Sequence, residues 1–324
     1  MKKFLSLLLT VMTSWSAQGQ QTSNPSALFD KWLDVLEEPL VSAQRSADAV
    51  ENLMAVPQSR VAAFNLQALG RTFSAINPEF SQIRFDFKKI EDGLGQIDKW
   101  NSQGLEKKVK EAKKAFAIVL REEKWHGSKG KMAGLRNRIK ELAQTVEHPE
   151  QKIMDRLAGS LREIFNTEYD FAGLETDTGL HEYKREIRWF MIEARMLDGM
   201  VSFRPDQKSC PNVKIFELFK TKKNQSLEDI DELLKPIQSS KYSQLASAKP
   251  GLFTCKISAC LFYALSDTVE KIGSIKDDVE HEFGDSGNDK TPEVFKVKAE
   301  KVYERINNTN AFNLLADELI ACSL

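Results

Sequence analysis

The segment Gly179-Leu180-His181-Glu182-Tyr183-Lys184-Arg185-Glu186-Ile187-Arg188-Trp189-Phe190-Met191-Ile192-Glu193-Ala194-Arg195-Met196-Leu197 decides the architecture. Stepping about 100° per residue, Tyr183, Ile187, Phe190, Ala194, Leu197 and Val201 fall on one side, which predicts the apolar stripe of a helix packed in a bundle. Nearly opposite lie His181, Lys184, Arg185, Arg188 and Arg195, while Glu182, Glu186 and Glu193 form a third strip. A solvated face intermixes Glu with Lys at i,i+4 spacing and so relieves repulsion. Here the signs are segregated, which makes the five basic side chains a candidate anion-binding wall. The competing reading is an ordinary solvated face, the usual fate of a charge run on an amphipathic helix.

Working outward, helical periodicity dominates on both sides of this segment. Apolar residues from Leu28 to Leu36 keep helical spacing up to Pro39, followed by runs over 41–54, 60–71, 80–100, 105–120 and 132–146. In the 105–120 run Val109, Ala112, Phe116 and Val119 are expected to point inward. His148-Pro149 punctuates the chain and separates a first helical half, 27–147, from a second, 150–324. The second half reads as helices over 153–165, the central segment, 213–220, 226–234, 252–283, 292–305 and 310–322, with no strand hairpin. The expected fold is all-α, as two pseudo-repeated helical bundles. Leu94-Gly95-Gln96-Ile97-Asp98 in the first half echoes Ile272-Gly273-Ser274-Ile275-Lys276-Asp277 in the second, and Ala112 to Phe116 echoes Ala299 to Tyr303 in the same order.

The amino terminus reads as an export signal. Met1-Lys2-Lys3 is a charged start, Phe4 to Met12 a short apolar stretch, and Ala17-Gln18-Gly19 offers small residues for cleavage, so residues 1–19 are expected to be a bacterial signal peptide. The mature chain is then periplasmic or secreted, with no membrane span. In an oxidising compartment the four cysteines, Cys210, Cys255, Cys260 and Cys322, are compatible with two disulfides, with metal ligation the alternative. If 252–283 is helical, Cys255 and Cys260 stand about 7.5 Å apart along the axis and cannot bond to each other. Any partner then comes from Cys210 or Cys322.

Composition narrows the functional classes. With 46 Lys and Arg against 47 Asp and Glu, the chain carries a formal charge of −1, so nothing marks it as a general binder of nucleic acid, and any electrostatic function is local. No GxSxG, HExxH or phosphate-loop motif is present, and four His and four Cys are scattered. Enzymatic activity, a metal and a cofactor are therefore not expected.

The central segment, the two Gly-centred echoes and the order of the halves together resemble the CHAD family, the conserved histidine α-helical domain. The run His181 to Trp189 looks like the family's helix in which a His is followed by basic residues three and seven places later. Leu94-Gly95 and Ile272-Gly273 look like its recurrent Leu-Gly followed closely by Asp. The resemblance covers about residue 27 to the end. It implies two helical halves around a basic channel, inorganic polyphosphate or another polyanion as partner, and His181, Lys184, Arg185, Arg188 and Arg195 as contacts. From the first half, the run 59–71 offers only Arg60 and Arg71 as cations, which predicts a channel basic on one wall. The alternative is a structural or protein-interaction domain that has lost the anion site.

Overall fold

The structure, a computed structural model, describes residues 25–55, 58–125, 129–205, 213–220, 230–283 and 290–323. The signal-peptide reading at 1–19, residues 226–229 of the expected 226–234 helix and Cys210 lie outside the described residues. Thirteen α-helices are present among them: α1 Pro25–Ala43, α2 Ala47–Ala55, α3 Ser59–Ser74, α4 Ser81–Ser102, α5 Glu106–Glu122, α6 Lys131–Gln144, α7 Pro149–Asn166, α8 Leu180–Met196, α9 Val213–Phe219, α10 Ile230–Gln238, α11 Ala259–Phe283, α12 Glu293–Asn307 and α13 Ala311–Ser323. Two three-residue strands, β1 Val201–Phe203 and β2 Cys255–Ile257, pair in parallel with Val201 opposite Cys255. Among the described residues no helix is long and apolar enough to cross a membrane.

The quoted segment is α8, and it occupies the middle of the molecule, packed against α3, α7 and α11. Its expected stripe is buried throughout: Tyr183, Ile187, Phe190, Ala194, Leu197 and Val201. Trp189, Met191 and Ile192 are buried as well, so α8 is enclosed on more than one side, as a helix shared by several neighbours must be. The buried side chains form one continuous core from Phe29 to Leu319. The most extensive pairings are α3 with α4 and α7 with α13. Gly70 permits the first of these: a Cβ there would stand 2.7 Å from the backbone N of Arg84, a distance no side chain can occupy.

Three expectations need correction. The first helix does not stop at Pro39 but runs through it to Ala43. Leu36, Leu40 and Ala43 lie fully buried on one stripe, and their burial outweighs the hydrogen bond that the proline removes. Next, the segment 252–258 is not helical, because Cys255 to Ile257 extends against β1 and α11 begins only at Ala259. Last, Val119 does not face inward; it is 41% exposed and Leu120 takes its place.

The cysteine expectation survives the change of conformation. Cys255 bonds to Cys322, which ties β2 to α13 across 67 residues. Cys260, fully buried, is also disulfide-bonded, and no cysteine among the described residues is free. Peptide mapping is expected to recover the Cys255–Cys322 pair, and Cys322→Ser to lower stability to urea by about 2–4 kcal/mol, the range for closing a long loop. A Cys255–Cys260 bridge in the map would contradict this arrangement.

Candidate functional site

Helices α3 and α8 meet through two aromatic rings. Phe64 on α3 and Trp189 on α8 stack at 4.7 Å with 14° between their planes. A guanidinium lies over each ring: Arg71 over Trp189 at 5.3 Å and Arg188 over Phe64 at 5.5 Å. Residues seven apart on one helix, such as Phe64 and Arg71, return to the same face two turns on, so the sequence places ring and cation together. This assembly joins two cavities, since Phe64 and Arg188 line both.

The larger cavity, 760 Å³, is a polar cleft between α3, α4, α7 and α8. Arg71, Arg84, Lys88, Arg156, Arg185 and Arg188 reach it, as do Glu91, Glu163, Asp177, Glu182 and Glu186. Pairing decides how these eleven charges behave. Arg71 bonds Glu186 at 2.6 Å and lies 3.0 Å from buried Glu193; Arg185 pairs with Glu182 at 2.5 Å; Lys88 holds Asp92 at 2.5 Å. Arg84, Arg156 and Arg188 have no carboxylate within 4.0 Å among the described residues, and the Nε of each is buried without a hydrogen-bond partner. Arg156 bonds only Ser160, whereas Arg84 and Arg188 make ring contacts alone. Burial and then the Arg71 guanidinium push Arg84 below the usual arginine value, with Arg185 adding to the effect and Glu193 and Glu186 opposing it. Unsatisfied buried donors cost roughly 1–3 kcal/mol each, so three such arginines around one cleft have unused capacity to donate to oxygen acceptors.

The five residues of the α8 basic face are distributed rather than gathered. Arg185 and Arg188 line the polar cleft. Arg188 and Arg195 line the second cavity, 460 Å³, where one Arg195 nitrogen donates to the Lys241 carbonyl at 3.0 Å. His181 and Lys184 line neither of these two. The His181 Nδ1 stands 3.4 Å from Glu175, and burial holds its pKa below the ordinary histidine value, with Glu175 opposing and Lys276, Arg185 and Arg188 reinforcing. Lys184 lies along Gly273, where a Cβ would come within 2.8 Å of its Nζ.

The expectation of one basic wall is also corrected. The first half brings Arg84 and Lys88 from α4 as well as Arg71, and α7 adds Arg156. Attention to the run 59–71 missed them because they sit on other helices. A cue was available: Arg84 and Lys88 are four apart, on a strip of α4 that flanks its buried Ile83 and Phe87. Among the described residues no group of His, Cys, Asp and Glu is placed to hold a metal ion.

Glu193 is the most enclosed carboxylate here, 1% exposed, with neither oxygen in a hydrogen bond. Burial raises its pKa, opposed first by Arg71 and then by Arg156. Arg71→Met removes the counter-charge nearest to Glu193 and is expected to cost on the order of 3–5 kcal/mol at neutral pH. A carboxyl whose folded pKa is raised is destabilising above its unfolded value, so this loss should shrink as pH falls toward the ordinary carboxylate range. Urea unfolding from pH 4 to 8 checks it, and a loss independent of pH would show that Glu193 is not the group affected.

Compared with known proteins, the chain matches no family model, no curated protein and no solved structure.

Proposed function

We propose that the chain is an exported, CHAD-like helical protein that holds a polyanion of the inorganic polyphosphate kind in the cleft between α3, α4, α7 and α8. The observation that carries this is the trio Arg84, Arg156 and Arg188, which lines one cleft without a carboxylate partner. A chain of phosphates offers successive anionic oxygens, and guanidinium forks at several points of a cleft bind them with charge-assisted hydrogen bonds. Arg185 stands at the same cleft and can exchange Glu182 for a ligand oxygen. No reaction is assigned, since holding such a chain requires no bond to break.

The reading as two repeated halves draws support from the glycines. A Cβ on Gly95 would stand 2.9 Å from the Arg60 guanidinium, just as one on Gly273 would stand 2.8 Å from the Lys184 ammonium. Each echo therefore seats a basic side chain of a facing helix, α3 in one half and α8 in the other. Helices α4 and α5 pack together, as do α11 and α12, in the order that the sequence echoes give.

A second reading, a scaffold that has lost its ligand, is favoured by one observation: Arg71 is bonded to Glu186, Arg185 to Glu182 and Lys88 to Asp92, so three of the six cleft cations are already neutralised. Binding of tripolyphosphate at low salt separates the two. Binding is expected to weaken steeply with salt, and Arg188→Gln or Arg156→Gln to reduce affinity roughly ten-fold or more, the worth of one charged hydrogen bond. Replacing Lys107, Lys110 and Lys114 on exposed α5 by Gln should leave it unchanged. No binding by the native protein, or equal losses from the α5 lysines, would favour the scaffold.

A further inference from the structure

The 460 Å³ cavity differs in kind from the polar cleft. Leu53, Met54, Val61, Phe64, Leu94 and Ile192 supply an apolar wall, and Arg60, Arg188, Arg195 and Lys241 stand against Glu91 and Asp98. Both acids are taken by Arg60, at 3.1 Å each. Arg188, Arg195 and Lys241 remain without a carboxylate within 4.0 Å among the described residues, so the cavity keeps positive charge. A phosphate chain has no hydrocarbon with which to cover the apolar side.

Asn65 supplies the second observation. It lines this cavity and the adjoining 280 Å³ one, as Arg195 does. Its side chain is buried, at 1% exposure, and neither Oδ1 nor Nδ2 has a hydrogen-bond partner. Asparagine is seldom fully buried, and a buried carboxamide with no partner is costly on both its atoms. A core position of this kind in α3 is more stable with an apolar residue unless something polar comes to it.

We infer that this cavity is a binding site for a small amphipathic organic anion, its acid group on Arg195, Arg188 and Asn65 and its hydrocarbon against Leu53, Met54, Phe64 and Leu94. The volume lies in the range of small-molecule sites, and the combination of one apolar wall with a few convergent polar groups is their usual form. Burial holds the Arg195 guanidinium below its ordinary value, opposed only by Tyr242, so an incoming carboxylate supplies the counter-charge that the protein does not. The site shares Arg188 with the polyphosphate cleft but not Arg195 or Asn65, which do not line that cleft.

Isothermal titration of the full mature chain with octanoate, octan-1-ol and tripolyphosphate tests this. Octanoate is expected to bind one to one and octan-1-ol at least about ten-fold more weakly, since the alcohol lacks the charge. Arg195→Met should lower octanoate affinity by a similar factor and leave tripolyphosphate untouched. Val61→Glu, at a rim position 47% exposed and so harmless to folding, should also weaken octanoate by repulsion. The inference is overturned if native protein does not bind octanoate, if octan-1-ol binds as tightly, or if both variants retain native octanoate affinity. The tripolyphosphate arm reports separately on the cleft, so failure of one site is not mistaken for failure of the other.

Discussion

The contact between α3 and α8 at Arg71, Glu186 and Glu193 governs the arrangement of everything around it. Glu193 is buried at a point where α8 is otherwise apolar, and Arg71 is its nearest counter-charge. A carboxylate in such a place is tolerated only with a cation fixed beside it. The cation in turn lies over Trp189, whose stacked partner Phe64 carries Arg188 on α8. One buried charge therefore sets the register of two helices, the position of two rings and the placing of the arginine shared by both cavities. Without that register the polar cleft and the amphipathic cavity would have no common wall.

Charge in the cleft follows from how this pair is distributed. Arg71 lies between two carboxylates, which quiets it as a ligand-binding group, while its own charge works against the ionised form of Arg84. Glu182, Glu186 and Glu91 at the cleft are held by Arg185, Arg71 and Arg60, and Arg84, Arg156 and Arg188 are left without acids. Nearly neutral composition is thus compatible with a local excess of cations. The cleft and the amphipathic cavity differ because α4 gives the first Arg84 and Lys88, whereas the second has the apolar Leu94 of α4 with Leu53 and Met54 of α2.

The helical class and the inward stripe of α8 were legible because the pattern repeats at 3.6 residues and a shared helix buries that stripe whatever its neighbours. Pro39 and the segment 252–258 were misread for one reason: local rules cannot see the tertiary partner. Leu36, Leu40 and Ala43 carry a helix past proline, and β1 draws Cys255 to Ile257 into an extended pair. The basic face of α8 was legible as a face. Its division between two cavities was not, because Phe64 splits it and belongs to another helix. Arg84 and Arg156 were invisible as partners since their helices meet α8 only in the fold, and Asn65 gave no signal beyond being a polar residue among apolar ones.

The central claim is that arginines without acids, rather than basic side chains in general, receive the anion. The most direct measurement follows the Nε–Hε resonances of the arginines by nuclear magnetic resonance while tripolyphosphate is added to the full chain. The account expects Arg84, Arg156 and Arg188 to shift together and saturate at one equivalent, with Arg60, held by Glu91 and Asp98, unmoved. Shifts confined to exposed backbone amides of α5, with those three arginines unchanged, would contradict it.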